Sequence, residues 1–221
     1  MNRLDLVMRS FPLLTQGAWM TVQITFLASF VSLCLGTCFG ILMCNQLRVG
    51  AVSSCLEFVT FILRAVPFYV QLVIVYFVLP DLFQFNMGAF AASVLALGVC
   101  SSGYVAQVVR CGINSISSDQ WDAAHTLGYS TTASLTFIIA PQVVYNVLPA
   151  LCNELDSLLK STAILSSIGL LELTRVGMNI VSREMDPLAT YGAVAVFYVL
   201  ISGVINVLSK YIERRCSYAF N

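Results

Sequence analysis

Long apolar runs separated by short polar segments make up most of this sequence. Five of the runs are long enough to cross a bilayer as helices: residues 18–44, 52–79, 87–109, 133–151 and 191–208. A hydrocarbon core about 30 Å thick is crossed by about 20 apolar residues in helical conformation. The pattern therefore predicts an all-α, polytopic membrane protein with about five transmembrane helices, forming a single domain over residues 1–221.

Two stretches do not fit a simple transmembrane run. Residues 1–16 form a polar-to-amphipathic lead-in before the first span. Residues 158–180 are apolar but contain Lys160, Glu172 and Arg175, and charged side chains within a membrane segment rarely face lipid. We therefore expect residues 158–180 to form helical pieces packed inside the bundle.

Composition agrees with lipid as the solvent. Hydrophobic residues make up 58% of the chain and charged residues 10%, and the mean hydropathy is +0.86, whereas soluble domains carry about 25% charged residues. The net charge is zero and no basic cluster is present, which excludes a nucleic-acid binder. The cysteines stand singly, without a Cys-x-x-Cys pair, so we expect no metal site and no cofactor.

The distribution of basic residues gives an orientation. Five spans place the two termini on opposite sides of the membrane. A cytoplasmic C-terminus puts five basic residues inside, namely Arg48, Arg110, Lys210, Arg214 and Arg215, and leaves four outside, namely Arg3, Arg9, Arg175 and Arg183. Because cytoplasmic segments carry the excess of Lys and Arg, we predict a cytoplasmic C-terminus.

Small residues recur every four positions in the first span, at Ala28, Ser32, Gly36 and Gly40. Such a ridge allows two helix backbones to approach closely in lipid. We expect it to pack against another helix of the same chain, with a contact to a second chain as the alternative.

Residues 114–128 form the one sizeable polar stretch in the middle of the chain. Ser118 or Asp119 can cap a helix there, which would place Asp122 near the positive end of the helix dipole. Gly128 can end the helix in the left-handed conformation. The segment therefore predicts a short helix outside the bilayer, on the predicted cytoplasmic side.

This short helix has a nearly bare face, because Ala123 and Ala124 follow each other at its centre. A bare face on an exposed helix is suited to docking into a groove of another protein. A surface loop between two spans is the alternative.

The short helix and its neighbours resemble the permease subunits of binding-protein-dependent ABC importers. Asp122-Ala-Ala followed by Gly128 is similar to the EAA loop of that family. The flanking segments are similar to its polar amino acid branch, of the histidine, arginine and glutamine type: Arg64-Ala-Val-Pro67 with Gln71-Leu72, Arg110-Cys-Gly-Ile-Asn-Ser-Ile116, Gln120-Trp121, Ala140-Pro141-Gln142 and Leu158-Leu159-Lys160-Ser161-Thr162. The likeness keeps its order and spacing from about residue 17 to residue 216.

The likeness has departures. Asp122 stands where the family has Glu, Ala-Val follows Arg64 where Gly-Thr is usual, and Cys111 replaces a glycine. None of these changes removes the predicted short helix.

The resemblance implies a type I ABC importer permease in the bacterial inner membrane. It implies a second permease subunit, identical or related, a cytoplasmic pair of ATPase subunits and an extracytoplasmic amino-acid-binding protein. The coupling loop, about residues 114–130, would contact the ATPase. The residues that the resemblance assigns to this contact are Gln120, Trp121, Asp122, Ala123, Ala124, His125 and Gly128. The sequence has no GxxxxGK[ST] phosphate-binding loop, so we expect ATP hydrolysis by a partner chain and no catalytic residue here.

Ionisable residues at membrane depth are candidates for the substrate path. Asp156 and Lys160 are four positions apart, which favours an ion pair. Glu154 has no evident local partner, and its two readings are an ion pair with Arg64 or Arg175 and a counter-charge for a cationic substrate. We assign Asn153, Glu154, Arg64, Gln71 and Lys160 to the substrate path.

The Asn153-Glu154 pair resembles basic amino acid permeases of the family, so we expect a basic substrate such as arginine or histidine. A glutamine or other polar amino acid permease of the same family is the alternative. A secondary transporter also shows buried charges and broken helices, but it does not need the short polar helix and often has internal repeats. An intramembrane Ser-His enzyme is excluded because the single histidine, His125, lies outside the predicted spans.

Overall fold

Every regular element in the computed structural model is a helix, within the residues it describes, which are 3–48 and 50–219. Side chains are described as far as residue 215, so Cys216, at the end of the family resemblance, lies outside them. The helices are α1 Arg3–Leu42, α2 Gly50–Ala65, α3 Phe68–Val73, α4 Leu79–Phe83, α5 Ala89–Asn114, α6 Ser118–Thr126, α7 Thr131–Ser134, α8 Ala140–Ser161, α9 Leu173–Glu184 and α10 Pro187–Ala219. The predicted all-α fold is confirmed.

Four described helical segments are long and apolar enough to cross a membrane: Arg3–Leu42, Ala89–Asn114, Thr131–Ile168 and Pro187–Arg215. Thr131–Ile168 joins α7 and α8 through a π-helical stretch and ends in a 3-10 stretch. A fifth span arises if α2 and the segment Phe68–Phe83 are counted together. These elements match the five predicted apolar runs.

The predicted run 52–79 is not one straight helix, which corrects the sequence interpretation. It bends by 103° between Gly50–Ala65 and Phe68–Phe83. The break falls at Pro67, which has an extended backbone conformation. Proline has no N–H to donate and disfavours helical conformation in the residue before it, here Val66.

Two predicted boundaries are also wrong. Residues 3–16 are not a lead-in, because α1 begins at Arg3 and buries Leu6 and Leu14 against Leu173 and Ile180. The fourth helix does not stop at residue 151, because α8 continues to Ser161 and a 3-10 segment carries the chain to Ile168. The predicted helical pieces in 158–180 are therefore the end of α8, this segment and the start of α9.

The chain divides into two compact units. The first contains residues 3–30, 67–98 and 155–207. Its two apolar clusters include Ile24, Leu72, Leu97 and Leu165 in one and Leu14, Leu173 and Val194 in the other. The second unit contains residues 31–48, 50–66, 99–154 and 208–219. Its cluster is formed by Cys44, Val105, Val109, Ile113, Trp121, Ile139, Val143 and Val147.

The small-residue ridge of α1 packs within the second unit, as expected for a contact inside one chain. A Cβ at Gly36 would lie 2.5 Å from Cβ of Val105, and one at Gly40 would lie 2.7 Å from Cβ of Val109. Both glycines therefore bring α1 into backbone contact distance of α5. Ser32, one turn earlier, donates a hydrogen bond to the Ser101 hydroxyl at 2.8 Å.

Candidate functional site

The short polar helix is present as α6, and its caps differ partly from the prediction. Ser117 is the N-cap, and its hydroxyl accepts a hydrogen bond from the Asp119 amide. Neither Ser118 nor Asp119 caps the helix, so Asp119, rather than Asp122, lies in the first turn. The negative charge that complements the helix dipole therefore belongs to Asp119.

The C-terminal end of α6 confirms the prediction for Gly128. This glycine has φ +87°, in the left-handed region that residues with a Cβ rarely adopt. The Gly128 amide donates to the His125 carbonyl, and the Tyr129 amide donates to the Ala124 carbonyl. This pair of bonds is a Schellman motif, which ends the helix sharply.

One face of α6 is anchored in the second unit. Trp121 and Ala124 are each only 2% exposed, and Trp121 belongs to the apolar cluster that includes Ile113 and Ile139. The predicted bare face of two alanines is therefore wrong, since Ala124 and Trp121 point inwards. Among the predicted coupling residues, the exposed side chains are those of Gln120, Asp122, Ala123 and His125.

The inner face of α6 packs beside the end of α1. Cys44, two residues beyond the end of α1, is fully buried in the same cluster as Trp121. Burial raises the pKa of the Cys44 thiol, against the opposing effect of hydrogen bonds from backbone amides. The neutral thiol therefore packs as a small apolar side chain.

Glu154 is a half-buried carboxylate on α8. It accepts a hydrogen bond from the Ser101 hydroxyl of α5 at 2.7 Å, and Ser101 accepts in turn from Ser32 of α1. The three side chains form one chain of hydrogen bonds inside the second unit.

The expected ion pair of Glu154 with Arg64 or Arg175 is not formed. The ion pairs of the described residues join Arg3 to Asp186, Arg48 and Arg110 to Glu57, and Lys160 to Asp156. The Arg64 side chain donates to the Thr60 carbonyl, and the Arg175 guanidinium donates to the Ser166 carbonyl. Both arginines find acceptors in the nearby backbone, which removes the reason for pairing with a distant carboxylate.

Arg64 and Glu154 contact different sides of α5. The Tyr104 hydroxyl donates to the Arg64 carbonyl, and a Cβ at Gly103 would lie 3.4 Å from Cγ of Arg64. Glu154 is held instead at Ser101. The structure therefore does not bring Arg64 and Glu154 together at one point.

The remaining predicted path residues are distributed over both units. Asn153 is exposed in the second unit, and Gln71 is half-buried in the first. Lys160, also in the first unit, binds Asp156 at 2.6 Å, which confirms the predicted ion pair. The other carboxylate oxygen of Asp156 accepts from the Ser202 hydroxyl. Lys160 is therefore held in an ion pair within α8, and Asp156 links this pair to Ser202 of α10.

A charge cluster in the second unit was missed by the sequence interpretation. Glu57 of α2 lies 3.1 Å from a guanidinium nitrogen of Arg110 on α5 and 3.3 Å from one of Arg48. The signal was present, because Glu57 is the only acidic residue in the predicted run 52–79. Arg110 is far from Glu57 in sequence, so the pairing could be recognised only in the folded structure.

Comparisons with known proteins identify the family. Residues 36–218 match the family described as the binding-protein-dependent transport system inner membrane component. The chain belongs to this family. It is 31% identical over 207 residues to the arginine transport system permease protein ArtQ of Bacillus subtilis (strain 168), covering 92% of each chain. It is 31% identical over 213 residues to the glutamine transport system permease protein GlnP of Escherichia coli (strain K12), covering 93% of this chain and 94% of that one.

Solved structures give the same result for the fold. A crystal structure of an amino acid ABC transporter with histidines matches with a TM-score of 0.87 and 31% identity, covering 97% of this chain and 99% of that chain. An inward-facing structure of the MetNI methionine ABC transporter matches with a TM-score of 0.82 at 20% identity, covering 94% of this chain and 98% of that chain. The protein is a multi-pass membrane permease with the type I ABC importer fold, as the resemblance implied.

Proposed function

We propose that this chain is the membrane-spanning subunit of an ATP-driven importer for a basic amino acid such as arginine or histidine. The choice of a basic substrate rests on the environment of Glu154. Its carboxylate is half-buried in a membrane-spanning helix and has one hydroxyl as its described hydrogen-bond partner. A carboxylate at such a depth favours a cationic partner, and a guanidinium, ammonium or imidazolium group of a substrate fits this requirement.

A glutamine importer of the same family is the second candidate. The similarity to arginine and glutamine permeases is equally strong in identity and coverage. A neutral side-chain amide would donate to Glu154 without neutralising its charge. The basic substrate is favoured because only a cation adds Coulomb attraction to the hydrogen bond and neutralises the carboxylate at membrane depth.

The partners follow from the family. They are a second permease subunit of the same or a related sequence, two ATPase subunits and an extracytoplasmic binding protein. ATP hydrolysis belongs to the ATPase subunits. The exposed side of α6, carrying Gln120, Asp122, Ala123 and His125, is the surface that docks onto the ATPase. The buried Trp121 acts differently, since it connects movement of α6 to the helices of the second unit.

The substrate is tested by transport. The complex of permease, ATPase and binding protein is reconstituted in liposomes, and ATP-dependent uptake of labelled arginine is measured with arginine, histidine, lysine or glutamine as competitor. Competition by the basic amino acids but not by glutamine is expected. Competition by glutamine alone would contradict the basic substrate while leaving the importer function in place.

The docking surface is tested with a matched pair of variants. Ala123→Arg places a long side chain on the exposed face of α6, where the small Ala123 would allow a partner to approach, and should abolish co-purification with the ATPase. Ala123→Ser, which stays small, should leave it unchanged. Normal ATP-driven uptake by Ala123→Arg would contradict docking at α6.

A second variant probes the end of α6. Gly128→Asp requires an L side chain at φ +87°, so it should distort the helix end as well as add a charge. It should lower ATPase co-purification while the chain still inserts into the membrane.

The orientation proposal places the C-terminus in the cytoplasm. Reporter fusions at the two ends should report opposite sides of the membrane. Two cytoplasmic ends would contradict the arrangement of five spans.

A further inference from the structure

A groove lies between α5 and α8 in the second unit, away from Glu154; its walls are mostly apolar and carry the polar side chains of Gln107, Ser115 and Asn146. Its volume is about 420 Å³, and it is lined by Gln107, Val108, Cys111, Gly112, Ser115, Asn146, Val147 and Ala150. This volume falls within the range of about 300–1,000 Å³ that is typical of small-molecule sites. We call it the amide groove, after Gln107 and Asn146.

The close approach of the two helices shapes the amide groove. A Cβ at Gly112 would lie 2.2 Å from Cγ1 of Val147 and 3.2 Å from Cγ1 of Val143. Only glycine at this position allows α8 to come so near to α5. The glycine therefore sets the spacing of α5 and α8 at the groove.

The two amide side chains of the groove have no hydrogen-bond partner among the described residues. Gln107 lies in the span Ala89–Asn114 and Asn146 in the span Thr131–Ile168. Asn146 is exposed and Gln107 is partly buried, so both amides are accessible to a molecule in the groove. Polar side chains at membrane depth tend to face a water-filled cavity or a polar ligand.

The amide groove and the Glu154–Ser101 contact lie at different heights on the same two helices, α5 and α8. Asn146 precedes Glu154 by eight positions on α8, which is about 12 Å of helix. On α5, the chain passes from Ser101, the partner of Glu154, through Gln107 to Ser115, and then enters α6. The groove thus lies between the Glu154 level and the proposed ATPase-docking helix.

We infer that the amide groove is a second, weaker site for the transported amino acid, on the exit side of Glu154. This inference rests on the proposed function. The carbonyl oxygens of Gln107 and Asn146 can accept from the α-ammonium group, and their NH₂ groups can donate to the α-carboxylate. The Ser115 hydroxyl, which donates to the Gly112 carbonyl at 2.8 Å, can accept from the α-ammonium group. Since none of the lining side chains is ionised, the groove recognises the zwitterionic part shared by all amino acids, whereas Glu154 recognises the side chain.

The inference is tested with Gln107→Leu and Asn146→Leu in the reconstituted complex. Each variant removes the amide and keeps a side chain of similar size. The kcat for uptake should fall by about threefold to tenfold, the factor expected from losing one or two hydrogen bonds. The fall should be the same for each transported amino acid. Asn206→Leu is the matched control, because the Asn206 amide already donates to the Ser202 carbonyl, and it should leave kcat unchanged.

Occupancy is measured separately from uptake. Cys111 lines the groove and is exposed, so a full complex in which it is the only cysteine of this chain reports on the groove through maleimide labelling. Millimolar L-arginine or L-lysine should slow the labelling, and Gln107→Leu or Asn146→Leu should remove this protection.

Other outcomes overturn the inference. Normal uptake with no protection of Cys111 would mean that the groove binds no amino acid. Loss of permease pairing in the leucine variants, with normal turnover of the complexes that remain, would mean that the amides bond to the second permease subunit. If the wild-type complex carried no amino acid at all, the proposed function itself would fail.

Discussion

Glu154 and Glu172 are two carboxylates that lack a described ion-pair partner, and their surroundings differ in the number of hydrogen-bond donors. Glu172, in the first unit, is fully buried and caps α9. Its two oxygens accept from the amides of Thr174 at 2.8 Å and Arg175 at 2.7 Å, and from the Tyr198 hydroxyl at 3.3 Å. Glu154, in the second unit, is only half-buried and accepts from Ser101.

The number of donors around each carboxylate distinguishes a structural glutamate from one that can bind a ligand. A buried carboxylate with several donors has little capacity left for another partner, so Glu172 has the environment of a structural residue. Glu154 keeps most of its acceptor capacity unused at membrane depth. A charged residue near a membrane helix is thus not enough to indicate a binding site; the number of donors around it decides.

The largest effect is expected from Glu172→Ala. It removes the N-cap of α9 and leaves the part-buried amides of Thr174 and Arg175 without their acceptor, while the Tyr198 hydroxyl keeps the Thr174 hydroxyl as a partner. Hydrogen bonds to charged groups contribute about 1.5–3 kcal/mol each, so the free energy of unfolding should fall by at least that amount. The melting temperature in detergent measures the change.

Glu184→Ala is the matched control for this variant, because Glu184 is an exposed glutamate at the other end of α9. It should leave the melting temperature almost unchanged. Equal melting temperatures for the two variants would show that Glu172 is not structural, and the comparison with Glu154 would lose its basis.

The second effect is expected in uptake rather than stability. Glu154→Gln keeps the shape of the side chain and removes its charge. The loss of one charge-assisted hydrogen bond to substrate, about 1.5–3 kcal/mol, should lower uptake of cationic amino acids about tenfold or more. Basal ATP hydrolysis and assembly should remain, and the melting temperature should change little. Normal cationic uptake with a lowered melting temperature would make Glu154 architectural, like Glu172.

Hydropathy predicted the membrane class, the number of apolar runs and the short helix α6. These features depend on patterns within about 20 residues, where periodicity and capping chemistry are readable. The resemblance supplied the importer family. The N-cap of α6 was wrong because Ser117, Ser118 and Asp119 are all good capping residues. The structure selects Ser117, whose hydroxyl accepts from the Asp119 amide.

The partners of the two glutamates could not be predicted in the same way. Ser101 is 53 positions from Glu154, and Tyr198 is 26 positions from Glu172. Glu172 was read only as an interruption of an apolar stretch, and glutamate is not among the residues preferred at an N-cap, so its capping role had no local signal. Contacts between helices depend on their packing, which local patterns do not determine.

A smaller effect is expected from Tyr198→Phe. The Tyr198 hydroxyl contacts Glu172 at 3.3 Å and the Thr174 hydroxyl at 3.0 Å, while both backbone amides still satisfy the carboxylate in the variant. The free energy of unfolding should fall by about 1 kcal/mol, less than for a well-formed bond to a charged group, because 3.3 Å is long for an O–H···O bond. Uptake should be unaffected. A loss of uptake without a loss of stability would assign this region to transport and contradict the comparison.

The smallest effect is expected from Ser101→Ala, which removes the hydroxyl that holds Glu154. The carboxylate then loses its described donor but keeps its charge, so a cationic substrate can still bind it, with a less defined orientation. Cationic uptake should fall by about threefold, less than in Glu154→Gln, because the bond between substrate and carboxylate is kept and only its orientation becomes less defined. Ser102→Ala is the matched control, since Ser102 is a buried neighbour whose hydroxyl donates to the Val99 carbonyl of its own helix.

If Ser101 acts only through Glu154, Ser101→Ala should have no further effect on uptake in a Glu154→Gln background. Fully additive effects would show that the two side chains act independently, and Ser101 would then be a packing residue between α5 and α1.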